Sequence, residues 1–226
     1  MEIRPIARFR SPFTSKFGIP KQAGLVARLE GQIVFEPEFR NSDALRGIEG
    51  FDYLWLVWEF SANRHQANSP VVRPPVLGGN EKLGVFATRS PFRPNRIGLS
   101  SVRLSRVEWE SKLGPVIHVK GADLMDGTPI YDIKPYVVYA DSHPDARSGF
   151  VDERKWNRLE VDVPDDVRTY LLEQGLSMEK LEVLKDVLAQ DPRPHYQKNP
   201  DKVYGMPYEG LDIHFRVKEG IVTVEK

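Results

Sequence analysis

The 226-residue sequence contains no cysteine. Disulfides, thiolate metal centres and cysteine nucleophiles are therefore excluded, and nothing calls for an oxidising compartment. No apolar run approaches the ~20 residues that cross a bilayer. Met1 is followed by Glu2, Arg4 and Arg8 rather than by an apolar stretch, so no secretory signal is expected and a cytoplasmic location is. Net charge is absent as well, 32 Lys and Arg balancing 32 Asp and Glu. The balance is uneven along the chain. Residues 1–106 carry 16 cations against 9 anions, a net of +7, and residues 107–226 carry 16 against 23, a net of −7. A basic face for a polyanion and chance drift between two halves explain this split equally well.

Several chemistries are missing. No G-x-G-x-x-G follows a strand pattern, and there is no phosphate-cradling G-x-x-x-x-G-K-[ST] or nucleophile elbow G-x-S-x-G. The five histidines, at 65, 118, 143, 195 and 214, lack metal-ligand spacing, and no metal site is expected.

What is present is strand signal. Residues 3–9, 25–35, 53–60, 84–88, 99–109, 116–121 and 130–139 are rich in Val, Ile and aromatics and are bounded by turn residues. Val102, Leu104, Val107 and Trp109 share one face only if a bulge intervenes. Residues 38–49 suit one short helical turn. Seven strands with few helices predict a closed β-barrel, which leaves no exposed edge. The composition changes after Tyr139. A charged linker over 141–160 is expected, then a small α+β unit over 161–226: a helix from Pro164 to Glu173 ended by Gly175, a second capped by Ser177, and a hairpin turning at Glu219-Gly220. The expected fold is thus mainly β, a seven-stranded barrel over 1–140 followed by an α+β unit too short to be comfortably stable alone.

Four segments are unusual: Ser11–Gln22, Val72–Asn80, Gly84–Ser100 and Gly121–Lys134. The third sets Arg89, Arg93 and Arg96 among prolines, which hold the backbone. Rigid guanidinium groups suit phosphate or carboxylate recognition, though a solvated basic loop reads the same way. The tetrapeptide Arg-Ser-Pro-Phe occurs at 10–13 and again at 89–92, without flanking repeats, and is taken as coincidence. In the fourth segment Asp123 and Asp126 flank Leu124-Met125 before Gly127. They serve either as turn residues or as a carboxylate that binds a ribose or accepts a proton.

The stretches SPFTSKFGIPKQAGL, FDYLWLVWEF, VRPPVLGGN, GVFATRSPFRPN, IGLS, GADLMDGTPIYDIKPY and DPRPHYQ resemble the TrmO or TsaA-like family of tRNA adenosine methyltransferases. The likeness spans almost the whole chain. It implies an S-adenosylmethionine-dependent enzyme that methylates N6 of threonylcarbamoyladenosine in the anticodon loop of tRNA, and a homodimer. By match to the family's cofactor segments it implies that Pro20, Lys21, Gln22, Ser61, Ala62, Arg89, Leu99, Asp123, Leu124, Met125 and Asp126 hold the cofactor. Two departures stand out. Arg96 occupies a position commonly held by proline, which is expected to add charge and loosen that loop. Ser61-Ala62 replaces bulkier polar residues.

For the chemistry, Asp126 is the expected acceptor of the N6 proton, with cofactor binding alone as its competing role. Arg89 or Arg93 is expected to pair with the threonyl carboxylate, and Asn95 is grouped with them. Phe92 or Tyr131 is expected to stack on an unpaired base, Tyr131 also standing beside Asp126 as a catalytic candidate. Arg193, His195 and Tyr196 fit RNA contacts or interdomain packing equally. A non-catalytic RNA-binding barrel and a small-molecule methyltransferase are the alternatives from other classes.

Overall fold

The computed structural model describes residues 2–63, 69–74, 77, 81–152, 157–194 and 199–226. Its strands are β1 (Ala7–Arg10), β2 (Glu30–Phe35), β3 (Tyr53–Glu59), β4 (Val71–Val72), β5 (Leu83–Gly84), β6 (Ile97–Glu108), β7 (Val116–Lys120) and β8 (Pro129–Pro135), followed by a short helix α1 (Val138–Asp141). Strand β9 (Glu160–Asp162), helices α2 (Asp165–Glu173) and α3 (Met178–Leu188), and strands β10 (Tyr204–Tyr208), β11 (Leu211–Lys218) and β12 (Ile221–Glu225) complete the chain.

Among the described residues, six strands close a barrel in the order β1-β2-β7-β6-β3-β8. The seam is short, with Ala7 opposite Ile130 and Arg8 opposite Pro129. Strand β3 shows how the sequence fills the interior. Its residues alternate, so Leu54, Leu56 and Trp58 point inward and are buried while Tyr53, Trp55 and Val57 face out. Leu54 and Leu56 join Phe9, Ile33, Val102, Ile117 and Ile130 in the barrel core.

The expected count was seven strands; the ring closes with six. The seventh candidate, residues 84–88, is β-rich in composition. Its Leu83 and Gly84 instead pair with β4 in a separate two-stranded ribbon, and Val85–Ala87 form a 3-10 turn. Residues 25–28 form turns before β2, and the last barrel strand stops at Pro135 with α1 beyond it. Residues 38–49 hold parts of three 3-10 turns. The bulge in β6 is present, between Leu104 and Arg106, although Trp109 lies beyond the strand and is exposed.

The second sheet runs β10-β11-β12-β9, with β9 parallel to β12. Its helices carry the expected signals. Ser177 accepts the Lys180 N–H at 3.3 Å, and Gly175 sits at φ +91° where α2 ends. Leu181, Leu184 and Leu188 are buried on one face of α3, while Met178 is half exposed. The core of this unit also contains Phe13, Val26 and Leu29, from the loop between β1 and β2. A unit this small gains apolar area by borrowing those side chains.

Candidate active site

A cavity of about 550 Å3 opens where one end of the barrel meets the β1–β2 loop and the turns before β6 and β8. Three of the unusual segments converge on it. Backbone bonds stitch the first, and Gly24 just past its end, to the fourth: the Asp126 N–H donates to Phe13 O at 2.8 Å, and the Gly24 N–H to Gly121 O at 2.8 Å. The third joins through Arg89, whose Nη1 donates to Gln22 Oε1 at 2.6 Å.

At the inner wall Trp58 lies against Gly98, where any Cβ would come within 2.4 Å of the indole. Its ring meets Phe60 edge-on, centroids 4.4 Å apart. Trp58 Nε1 donates to Ser100 Oγ at 3.0 Å, and the Ser100 hydroxyl donates to Asp123 Oδ1 at 2.6 Å. The indole has only a proton to give and the serine has only one, so the direction of this relay is fixed. Burial raises the Asp123 pKa above the usual carboxylate value, opposed by the Ser100 bond, by backbone N–H groups of Asp123 and Ala23, and by the charge of Arg89.

The rim is held by polar ties. Lys16 Nζ donates to Asn63 Oδ1 at 2.8 Å and to Ala62 O at 3.3 Å. Arg96, expected to loosen its loop, is tied at two points. Its Nη1 donates to Asn63 O at 3.0 Å, and its Nη2 pairs with Glu59 Oε1 at 3.0 Å. The Tyr131 hydroxyl donates to Glu59 Oε2 at 2.6 Å, and burial together with that carboxylate pushes the phenol up to about 12. On the side facing the second core, Lys21 Nζ donates to Asp191 O at 3.3 Å; burial lowers its pKa while Asp191 raises it.

Of the residues singled out in the sequence, Pro20, Lys21, Gln22, Ser61, Ala62, Arg89, Arg93, Leu99, Asp123 and Met125 line the cavity. Arg93 Nη1 is folded back on its own loop, donating to Thr88 O at 3.1 Å and Ser90 O at 3.4 Å. Leu124 is buried in the barrel core. Asp126 is exposed and outside the lining, where its Oδ1 accepts the Ser11 N–H at 3.0 Å. Tyr131 reaches the cavity only through Glu59. Phe92 and Asn95 are exposed beside it. Arg193 grips Asp191 through two bonds of 2.8 and 2.9 Å. His195 and Tyr196 fall outside the described residues, as does part of the Val72–Asn80 segment.

Sequence reasoning missed Lys16, Trp58, Glu59, Asn63 and Ser100. The alternation of β3 does put Trp58 on the inward face at the strand's end; the rest depend on partners distant in sequence. Among the described residues no cluster suits a metal ion, and no helix is long and apolar enough to cross a membrane.

Comparison with known proteins places this geometry. The tRNA-methyltransferase O N-terminal domain matches residues 8–142, and the TrmO C-terminal domain matches residues 157–226. The tRNA (adenine(37)-N6)-methyltransferase of Escherichia coli K12 is 38% identical over 221 residues, covering 96% of this chain and 94% of the relative. A Pseudomonas aeruginosa protein named as a putative S-adenosylmethionine-dependent methyltransferase, RcsF, is 41% identical over 216 residues, 94% of this chain and 91% of its own. The crystal structure of TrmO from Pseudomonas aeruginosa superposes with a TM-score of 0.79 at 34% identity, covering 100% of this chain and 95% of the other. With both of its parts matched in order and the whole fold superposed, the chain belongs to the tRNA-methyltransferase O family.

Proposed function

We propose that this chain is a tRNA methyltransferase that uses S-adenosylmethionine to methylate N6 of adenosine 37, with the threonylcarbamoyl adduct as the acceptor. In the same reading it works in the cytoplasm as a homodimer. Residues 1–140 form its catalytic domain, 141–160 a linker and 161–226 a C-terminal domain. The observation that carries the proposal is the cavity itself, in which a half-buried carboxylate, an aromatic wall and several cations face one space.

That set fits the cofactor's chemistry. Asp123, whose Oδ1 accepts from Ser100, has two readings, ribose anchor or proton acceptor. Trp58 and Phe60 offer apolar surface to a purine, and Lys16, Lys21 and Arg89 offer charge to a carboxylate. S-adenosylmethionine supplies, when bound, an activated methyl group on a sulfonium. The chain's work is then to orient the acceptor nitrogen and manage its proton. That nitrogen's lone pair is delocalised into the neighbouring carbonyl, so the proton must leave as attack proceeds. Two carboxylates line the cavity. Glu59 accepts from Tyr131 and Arg96 and Asp123 from Ser100, but it is Asp123 whose proton affinity burial raises, which suits an acceptor. Asp126 is read as a brace for the Ser11 turn, and Arg89 as the partner of the threonyl carboxylate. Phe92, exposed at the rim, is placed to stack on an unpaired base.

The test incubates the purified protein with S-adenosylmethionine and tRNA from a strain lacking the enzyme, then measures modified nucleosides by mass spectrometry. A single methyl increment on threonylcarbamoyladenosine is expected. Asp123→Asn should lower single-turnover methylation by about 10²–10⁴-fold, the usual worth of a general base, while Asp126→Asn changes it little. A cofactor Kd that rises as methylation falls assigns Asp123 to binding, and a near-normal Kd assigns it to the proton. Unmethylated tRNA with the wild-type protein overturns the proposal.

A further inference from the structure

The loop between β1 and β2 has two faces with different owners. One face lines the cavity, through Lys16, Ile19, Pro20, Lys21 and Gln22. The other belongs to the core of the C-terminal unit. Phe13, Val26 and Leu29 are buried in it, and Phe17 and Ile19 pack against it. Phe17 stacks on Phe215 with planes 10° apart and centroids at 6.3 Å, and on Tyr204 at 6.4 Å. Phe13 meets Tyr208 at 5.6 Å.

The closest approach is at Gly18. Its φ is +97°, and a Cβ there would come within 2.3 Å of Met206 Sδ. Met206 is itself fully buried, at 0% exposure. Polar ties reinforce the contact, since the Glu209 N–H donates to Pro12 O at 3.2 Å. The barrel grips this loop by backbone bonds at its two ends, at Ser11 and Phe13 and again at Gly24, and by side-chain ties at Lys16 and Gln22 between them. In the middle stretch Phe17 goes to the C-terminal core, Lys16, Pro20, Lys21 and Gln22 reach the cavity, and Ile19 touches both.

We infer that strands β10 and β11 are a positioning element for the cofactor wall, with Met206 as the residue that sets its height. Donor binding and docking of the C-terminal sheet on this loop are therefore one coupled equilibrium. This rests on the functional reading above for the identity of the donor. Coupling is reciprocal: whatever the sheet does for the donor's affinity, the donor does for the sheet's docking. Truncating Met206 leaves a void behind Gly18 and lets the cavity-lining residues shift; packed interiors feel even one methylene.

The test uses the full chain. Met206→Ala should raise the Kd for S-adenosylmethionine in calorimetry by about 5- to 150-fold, the usual range of coupling between sites, at a temperature where circular dichroism shows the variant folded. Met206→Leu should restore near-normal affinity, because it conserves volume. In the wild type, adding S-adenosylmethionine should slow amide hydrogen exchange across Tyr204–Tyr208. A folded Met206→Ala that binds with the wild-type Kd, or β10 amides indifferent to the donor, overturns the inference. If Met206→Ala does not fold, Met206→Val gives the same reading. Should the wild type itself fail to bind S-adenosylmethionine, the functional reading falls. The positioning claim is then read from amides 15–22 without donor: faster exchange in the variant supports it, and unchanged exchange overturns it.

Discussion

The tetrapeptide Arg-Ser-Pro-Phe occurs twice in this chain, and its two copies share a turn but not a fate. In both, the serine hydroxyl accepts the phenylalanine N–H two residues on, at 3.3 Å from Phe13 and 3.2 Å from Phe92. In both, a side chain receives the serine's own N–H. For Ser11 it is Asp126, 115 residues away; for Ser90 it is Thr88, two residues back. Phe13 is 0% exposed in the C-terminal core, and Phe92 is 50% exposed beside the cavity. The turn is a local matter of serine and proline geometry. Burial is decided by what the rest of the fold sets opposite.

Replacing each member in turn tests that contrast. Phe13→Ala should have the largest effect, costing about 3–5 kcal/mol in urea denaturation, as large aromatic truncations in cores do. A loss within about 0.5 kcal/mol, the level of surface changes, would mean that the loop is not part of the second core. Asp126→Ala should cost about 1 kcal/mol by removing the distant acceptor of the Ser11 N–H. Thr88→Val, which removes only the local one, should cost visibly less in the same assay.

Asp123, three residues before Asp126, extends the contrast from an exposed to a half-buried carboxylate. Its folded pKa is raised, so its contribution to stability is favourable below the unfolded value and is lost as pH rises through the folded one. Asp123→Asn should therefore melt above the wild type at neutral pH, the gap closing as the solution is acidified past the ordinary carboxylate range. A gap that widens on acidification would contradict the assigned direction. Phe92→Ala should have the smallest effect on stability, within about 0.5 kcal/mol. Its loss should appear instead as weaker tRNA binding in filter assays, and unchanged tRNA affinity would remove Phe92 from the proposed interface.

How far the sequence could be read follows the same division. The strand over 53–60, the bulge of β6, the Ser177 cap and the Glu219-Gly220 turn all obey rules that act within a few residues, and each was legible. The seventh strand was not. Residues 84–88 have β-prone side chains, but pairing partners are chosen by the whole sheet, and β6 finds its neighbours in β3 and β7. The cavity divides likewise. Its contiguous runs, such as Pro20–Gln22, could be lifted from the sequence by resemblance. The relay from Trp58 to Ser100 to Asp123 joins residues 42 and 23 apart, and the Lys16–Asn63 tie spans 47. No local pattern announces such pairs. Arg96 follows the same division: the loss of a proline is visible in the sequence, whereas its Glu59 and Asn63 partners are not.

The relay also gives the protein an optical reporter. Trp58 is clamped on Gly98, and its N–H feeds the hydroxyl that serves Asp123, so the indole shares a bond network with the carboxylate at the heart of the cavity. Protonating that carboxylate, or filling the space beside it, must change the polarity around the ring. In a variant that keeps Trp58 alone of the chain's four tryptophans, the emission colour would thus record the state of the site without any added label.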